Sequence, residues 1–246
     1  MAEQIANSLS GHGYEHIVEV GPGQGMLSKY LIQRSENVCF IEADRDMVEV
    51  FKSSYPEVAD YVYQADFLKF DLYEHIGHQP MAIIGNFPYN ISSQIVFKCI
   101  DHVDMVPEMV GMFQLEMAQR IASEPGSKAY GVISVLAQYY YDCQLLFKVG
   151  PDQFNPPPKV WSAVIKLTRK QNPHQDVDMK LFKRIVKSTF SQRRKMIRNT
   201  LKGILPMGTD LSDDIYNQRP EQLSVEAFIA LTNYCASILN GEKNET

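Results

Sequence analysis

The strongest constraint on the fold is an alternation of β-rich runs with amphipathic stretches that fails once, at its end. Seven runs read as strands: Ile17–Val20, Val38–Glu42, Tyr61–Gln64, Met81–Gly85, Met109–Phe113, Gln144–Val149 and Val160–Thr168. Helical patterns separate the first six, among them Met26–Arg34, Asp46–Ser54 and Ser92–Ile100. Strands alternating with helices predict a parallel α/β sheet with right-handed crossovers. The stretch Gly150–Lys159 is proline-rich and too short for a crossover, so the last two strands should pair as an antiparallel hairpin.

After Arg169 the alternation stops. Gln171-Asn172-Pro173-His174 reads as a linker, and only helical spacing follows. Phe182, Val186, Phe190, Ile197, Leu201 and Ile204 mark one apolar face, with a break expected near Ser191. Val225, Phe228, Thr232, Cys235 and Leu239 mark a last helix that Ser224 is placed to cap. The expected division is a catalytic domain over 1–172 and a helical domain over 173–246. A length of 246 residues suits one large domain and one small one. Charge divides along the same line. Nine basic groups and no acidic one fall between residues 179 and 203, including Lys187, Arg193, Arg194, Lys195 and Arg198. The other 221 residues carry 15 basic and 29 acidic groups, a balance of −14. An acidic body with one basic segment points to a docking surface for nucleic acid, and Lys187, Arg193, Arg194, Lys195 and Arg198 are the candidate RNA contacts.

Two strand ends carry a ligand signature. The first strand runs into Glu19-Val-Gly-Pro-Gly-Gln-Gly25, followed by a helical stretch. Glycines permit a tight turn and close backbone approach to a ligand, and a helix N-terminus adds a positive dipole end. Glu42 ends the second strand, 21 residues after Gly21, where a carboxylate can accept hydrogen bonds from both ribose hydroxyls of an adenosine cofactor. The spacing G-x-G-x-G departs from the dinucleotide fingerprint and suits S-adenosylmethionine, which has no pyrophosphate. Gly21, Gly23 and Glu42 are therefore candidate cofactor contacts. After the third strand, Asp66 is placed to accept the adenine amino group, with Phe67 packing near the ring.

The fourth strand ends in Gly85-Asn86-Phe87-Pro88-Tyr89-Asn90. An exocyclic amine on adenine is a poor nucleophile because its lone pair is delocalised into the ring. If the Asn86 side-chain oxygen and the Phe87 carbonyl accept its N–H bonds, the nitrogen is drawn toward tetrahedral geometry, with no strong base required. Pro88 stiffens the turn and Tyr89 offers a face for the target base. In Phe154-Asn-Pro-Pro-Pro-Lys-Val-Trp-Ser162 a proline run should hold the Phe154 ring opposite Tyr89 around an extruded base, while Trp161 is expected in the core. The catalytic candidates are Asn86, Phe87, Pro88, Tyr89 and Phe154, and Asn86 also faces the cofactor.

These stretches, with Phe40-Ile-Glu-Ala-Asp44, Tyr130-Gly-Val-Ile-Ser-Val-Leu-Ala-Gln-Tyr-Tyr140 and Phe190-Ser-Gln-Arg-Arg-Lys195, give a chain that resembles the KsgA-type small-subunit rRNA adenine dimethyltransferases over nearly its whole length. The resemblance implies a class I S-adenosylmethionine-dependent methyltransferase fold: a Rossmann-like seven-stranded sheet with the last strand antiparallel, plus a small all-helical C-terminal domain. It implies N6,N6-dimethylation of two adjacent adenines near the 3′ end of small-subunit rRNA, within an assembling small ribosomal subunit in the cytoplasm. It assigns cofactor contacts to Gly21, Glu42, Asp66 and Asn86. Two departures stand out. Phe87 occupies a position where the family usually has Leu, a change that spares a backbone-carbonyl role. The chain also starts inside the helix that follows the family's basic arm and Gly-Gln-Asn/His-Phe-Leu segment, from which weak cofactor affinity and low dimethylation are expected.

Three other readings compete. An Erm-like large-subunit rRNA methyltransferase shares the sheet and Asn-x-Pro-Tyr, but Phe190–Lys195 and Tyr130–Tyr140 favour the small-subunit enzyme. A non-catalytic RNA-binding assembly factor would not need an intact Asn86–Tyr89. An NAD-dependent oxidoreductase would need a different glycine spacing. No apolar run approaches the ~18 residues of a membrane span, and the N-terminus lacks the pattern of a secretory signal. The four cysteines lack C-x-x-C spacing, so neither metal nor disulfides are expected; a cytoplasmic monomer is.

Overall fold

The computed structural model describes residues 1–34, 37–154, 156–171 and 176–243. The linker expected at 171–174 lies largely outside them. In chain order the helices are α1 (Ala2–Ala6), α2 (Ser28–Leu31), α3 (Arg45–Ser54), α4 (Leu72–Ile76), α5 (Ser92–Asp101), α6 (Leu115–Ile121), α7 (Val132–Tyr140), α8 (Met179–Ser191), α9 (Ile197–Leu201) and α10 (Val225–Lys243). The strands are β1 (His16–Val20), β2 (Asn37–Glu42), β3 (Val62–Gln64), β4 (Met81–Asn86), β5 (Glu108–Gln114), β6 (Tyr141–Val149) and β7 (Ser162–Arg169). They form one sheet in the order β3-β2-β1-β4-β5-β7-β6. The first five strands are parallel, and β7 runs antiparallel to both β5 and β6. This is the class I methyltransferase sheet, with the terminal hairpin where the short connection required it.

The strand order explains where a ligand can go. From β1 the chain steps outward to β2 and β3, then returns to lay β4 on the other side of β1. The crevice at such a reversal, outside the carboxyl ends of the strands, is the natural ligand position of an open α/β sheet. The loop after β1 and the tetrad Asn86–Tyr89 at the end of β4 flank it. The central strands are buried on both faces: Ile17, Val18, Ala82, Ile83, Ile84, Met109 and Val110 are fully covered. That is why they read as continuous apolar runs rather than as alternating ones.

Two compact units divide the chain. Residues 1–122 and 140–170 make the first, and residues 123–139 and 171–246 the second. A boundary at 172 had left 123–139 with the sheet, yet those residues cluster with the C-terminal helices. Within the second unit the Tyr130 ring lies 6.1 Å from Phe190, and Tyr139 lies 4.9 Å from Phe182, so the aromatics of 123–139 join the apolar face of α8. Asp178 caps α8, its carboxylate accepting from Lys180 N and Leu181 N at 3.0 Å. The break near Ser191 falls where α8 ends, and Ser224 Oγ accepts from Ala227 N at 3.1 Å at the start of α10.

One expectation about the core is overturned. Trp161 is 53% exposed, and β7 begins at Ser162, two residues later than the apolar pattern suggested. The β5–β7 ladder ends at the pair Gln114–Ser162 because Leu115 enters α6; its amide donates to the Trp161 carbonyl at 2.9 Å. With no strand opposite, Val160 and Trp161 stay outside the sheet.

Candidate active site

The site is built on two turns whose conformations their sequences dictate. Gly21, Gly23 and Gly25 have φ of 71°, 52° and 79°, the left-handed region that side chains disfavour. Gly25 is doubly constrained: a Cβ there would fall 2.3 Å from the Tyr55 ring, whose hydroxyl donates to the Gly25 carbonyl. The Glu42 carboxylate at the end of β2 reaches this loop, accepting from Gly23 N at 3.1 Å and from Asp44 N at 3.0 Å. Its first structural act is thus to fix the glycine turn.

A cavity of about 290 Å³ opens at the carboxyl ends of β1 and β4, lined by Ile5, Glu19, Gly21, Gly23, Asn86 and Met112 among others. Gly21, Gly23 and Asn86, from the ends of two different strands, all line it. Asp66 and Phe67 do not line it. Asp66 is exposed and accepts from Leu68 N at 3.0 Å, closing its own turn. Phe67 is buried under Lys98, whose Nζ donates to the Phe67 carbonyl at 2.6 Å and sits 5.0 Å from the ring centroid.

Glu19 is a residue of this cavity that no motif in the sequence marked as a ligand contact. It lies inside β1, 1% exposed, between Val18 and Val20, and it lines the cavity. One of its carboxylate oxygens has no hydrogen-bond partner among the described residues. Burial pushes its pKa up to about 8, opposed by the Ser28 hydroxyl and reinforced by the charge of Glu42. An acid in a strand that is apolar on both sides was the available signal, since buried carboxyls without partners are rare outside functional sites.

The second turn follows β4. Asn86 is exposed at the strand end, and Phe87 beside it is 1% exposed. The Phe87 ring occupies space left by two glycines: a Cβ on Gly85 would come within 2.7 Å of it and one on Gly111 within 2.1 Å. Its other neighbour is Phe113, edge-on at 5.3 Å. The larger residue is accommodated here because β4 and β5 each provide a glycine. Pro88 is exposed, and its carbonyl accepts from Ile91 N to close the turn. Tyr89 is half-buried, its hydroxyl 2.7 Å from Ser162 Oγ at the start of β7. Phe154 packs as a partly buried ring against the apolar cluster that includes Ile5, Leu27, Val149 and Val164.

The candidate RNA residues lie in the second unit. Lys187 on α8, Arg198 on α9, and Arg194 and Lys195 between them are exposed. Arg193 is different. It donates to the Ser127 carbonyl at 3.2 Å, and its guanidinium lies 3.7 Å from the Glu221 carboxylate. Among the described residues no cluster of His, Cys, Asp and Glu is arranged to hold a metal. The four cysteines are free, and no described helix is long and apolar enough to cross a membrane.

Known proteins place this architecture. The small-subunit rRNA methyltransferase A of Flavobacterium johnsoniae is 48% identical over 94% of this chain and 89% of its own length. The protein of the same name from Bacteroides thetaiotaomicron is 46% identical over 95% and 88%. Two solved structures share the fold at 22% identity: a dimethyladenosine transferase from Plasmodium falciparum, with a TM-score of 0.79 over 96% of both chains, and the 23S rRNA methyltransferase ErmE, with 0.72 over 94% of this chain and 96% of that one. The family model for ribosomal RNA adenine dimethylases matches residues 1–237, and the chain belongs to that family.

Proposed function

We propose that this protein uses S-adenosylmethionine to dimethylate N6 of two adjacent adenines near the 3′ end of small-subunit rRNA, as a step in small-subunit assembly in the cytoplasm, and that it acts as a monomer. The observation that carries the reading is the juxtaposition of Asn86 with the glycine loop and the unpartnered Glu19 oxygen around one cavity.

The residues present fit the cofactor. The glycine turn permits close backbone approach, Glu42 stands at the loop to accept from the ribose, and the free Glu19 oxygen is a ready acceptor for an ammonium group. Asp66, exposed after β3, would accept from the cofactor's adenine amine, while the buried Phe67 ring supports that turn from below. When bound, S-adenosylmethionine supplies an activated methyl on a sulfonium. Everything else is done by the chain. Asn86 Oδ1 and the Phe87 carbonyl accept hydrogen bonds from the N–H groups of the adenine amine, two in the first transfer and the one remaining in the second, and turn its lone pair toward the methyl; the proton that the nitrogen sheds after each transfer passes to solvent. The buried Phe87 ring anchors the backbone that bears this carbonyl, so the acceptor is fixed before the substrate arrives. Tyr89, held by Ser162, offers a stacking face, with Phe154 on the other side. The exposed Lys187, Arg194, Lys195 and Arg198 neutralise rRNA phosphates; Arg193 adds charge from a position tied to Glu221.

The two relatives at 46–48% identity, both named for small-subunit rRNA, support that substrate over the large-subunit alternative. Methyl transfer to small-subunit particles, naked small-subunit rRNA and large-subunit rRNA, with mapping of the product, tests the proposal. Dimethyladenosine at two adjacent small-subunit positions is the expected result. Transfer confined to large-subunit rRNA would reassign the substrate, and tight rRNA binding without transfer would make the protein an assembly factor.

A further inference from the structure

Trp161 is the chain's single tryptophan, and the fold leaves it half-exposed within one residue of the tetrad's support. Its carbonyl is pinned by Leu115 N, and the next residue, Ser162, is fully buried with its hydroxyl against that of Tyr89. The indole edge lies over Gly150, where an added Cβ would sit 3.6 Å from the ring. Beside it is a cavity of about 320 Å³, lined by Trp161, Lys148, Gly150, Asp152, Gln153 and Met1. Met1 also lines the cofactor cavity, so the two sites adjoin.

Apart from the indole, Gln4, Lys148, Asp152 and Gln153 supply the polar part of this lining, and Met1, Phe147 and Val149 the apolar part. Lys148 is exposed on β6, in register with Ala163 of β7, and Asp152 and Gln153, joined by a 2.9 Å hydrogen bond from the amide to the carboxylate, add a carboxylate and an amide to the lining. An exposed indole among charged and amide groups suits a heterocycle better than an apolar peptide. The substrate chemistry supplies such a heterocycle. Presenting an adenine to Asn86 requires taking it out of its stack, which leaves its neighbour without a partner. A ring beside the site restores the lost stacking whatever the neighbour's identity.

We propose that this cavity is a second base-binding subsite, in which a nucleobase flanking the target adenine in single-stranded RNA stacks on Trp161 while Lys148 meets its phosphate. The subsite rests on the RNA-methylating reading above. Because the chain has one tryptophan, its emission reports this site alone. Titrating the full chain with a single-stranded RNA fragment from the 3′ end of small-subunit rRNA should quench that emission saturably. With small-subunit particles as substrate, Trp161→Ala should raise KM about 10-fold at unchanged kcat and unchanged cofactor affinity, and Trp161→Phe should recover most of the loss. Emission that stays constant across the titration, or a Trp161→Ala variant with wild-type KM, overturns the subsite while leaving methyl transfer standing. A wild-type chain that binds the cofactor but methylates neither particles nor naked rRNA overturns the functional reading and the subsite with it.

Discussion

Two glutamates are almost completely buried in the sheet unit, at opposite ends of parallel strands, and they have opposite fates. Glu108 opens β5, 2% exposed, and its carboxylate is saturated. Lys166 Nζ lies 2.6 Å away, the Tyr14 hydroxyl donates at 2.7 Å, and Ser10 donates from its amide at 3.0 Å and its hydroxyl at 3.1 Å. Lys166 also donates to the Ser8 carbonyl, so the pair ties the segment after α1 to β5 and β7. Glu19, near the carboxyl end of β1, keeps an oxygen with no partner among the described residues and faces the cavity. A buried carboxylate is costly unless its hydrogen bonds are met. Where they are met, the acid serves the fold. Where one is left open at the cavity, the fold carries a cost that the proposed cofactor would offset by completing the set.

The largest expected effect breaks the scaffold end. Glu108→Ala leaves Lys166 with no counter-charge and Tyr14 and Ser10 with no acceptor, and should cost about 3–5 kcal/mol. Thermal unfolding would register this as a large fall in Tm, and kcat per folded molecule should stay near wild type. A variant of unchanged Tm would mean that the Glu108 network contributes little to holding the N-terminal segment.

Next comes the chemistry at the ligand end. Asn86→Ala should lower kcat about 100-fold or more, with cofactor affinity and Tm little changed, because its bond to the amine tightens in the transition state. Single-turnover methyl transfer beside calorimetric titration separates the two effects. An active variant would remove Asn86 from the mechanism.

Glu19→Gln sharpens the contrast between the two acids through pH. Burial raises the Glu19 pKa from 4.5 to about 8. Between those values the folded state keeps a proton that the unfolded chain has released, so stability falls as pH rises from 4.5 to about 8 and levels off above. The variant should lose that slope and be no less stable than wild type. Its affinity for S-adenosylmethionine should drop about 10-fold, the scale of a charged hydrogen bond. Wild-type affinity should rise with pH up to about 8, as the carboxylate form becomes available, and the variant's should not. Parallel stability curves for the two proteins would show that Glu19 is ionised alike in the folded and unfolded states.

The smallest effects separate cations in the helical unit. Replacing Arg194, Lys195 and Arg198 with Gln should flatten the salt dependence of rRNA binding by up to ~0.7–0.9 log units per lost phosphate contact. Arg193→Gln should act chiefly on stability, through the lost contacts to Ser127 and Glu221. An unaltered slope in the triple variant would assign those residues to solvation of the helix surface.

Local signals carried the sheet and half of the site. Alternating periodicity, one short proline-rich connection, three glycines and Asn86–Tyr89 are written in consecutive residues, so the parallel sheet, its terminal hairpin and the motifs at the strand ends followed from the sequence, while the strand order came from the fold. What tertiary structure alone decided lies where partners are distant in the chain. Ser162 meets Tyr89 across 73 residues, and Ser10 meets Glu108 across 98. Residues 123–139 join the C-terminal helices because their aromatics find Phe182 and Phe190 there, a match no linker composition announces. Trp161 looked like core by its hydrophobicity, but burial depends on having a strand opposite, and β5 gives way to α6 one residue too soon. Glu19 and Glu108 are the same residue type in similarly apolar strands. Only the side chains that reach each carboxylate make one a tie within the fold and leave the other open to a ligand.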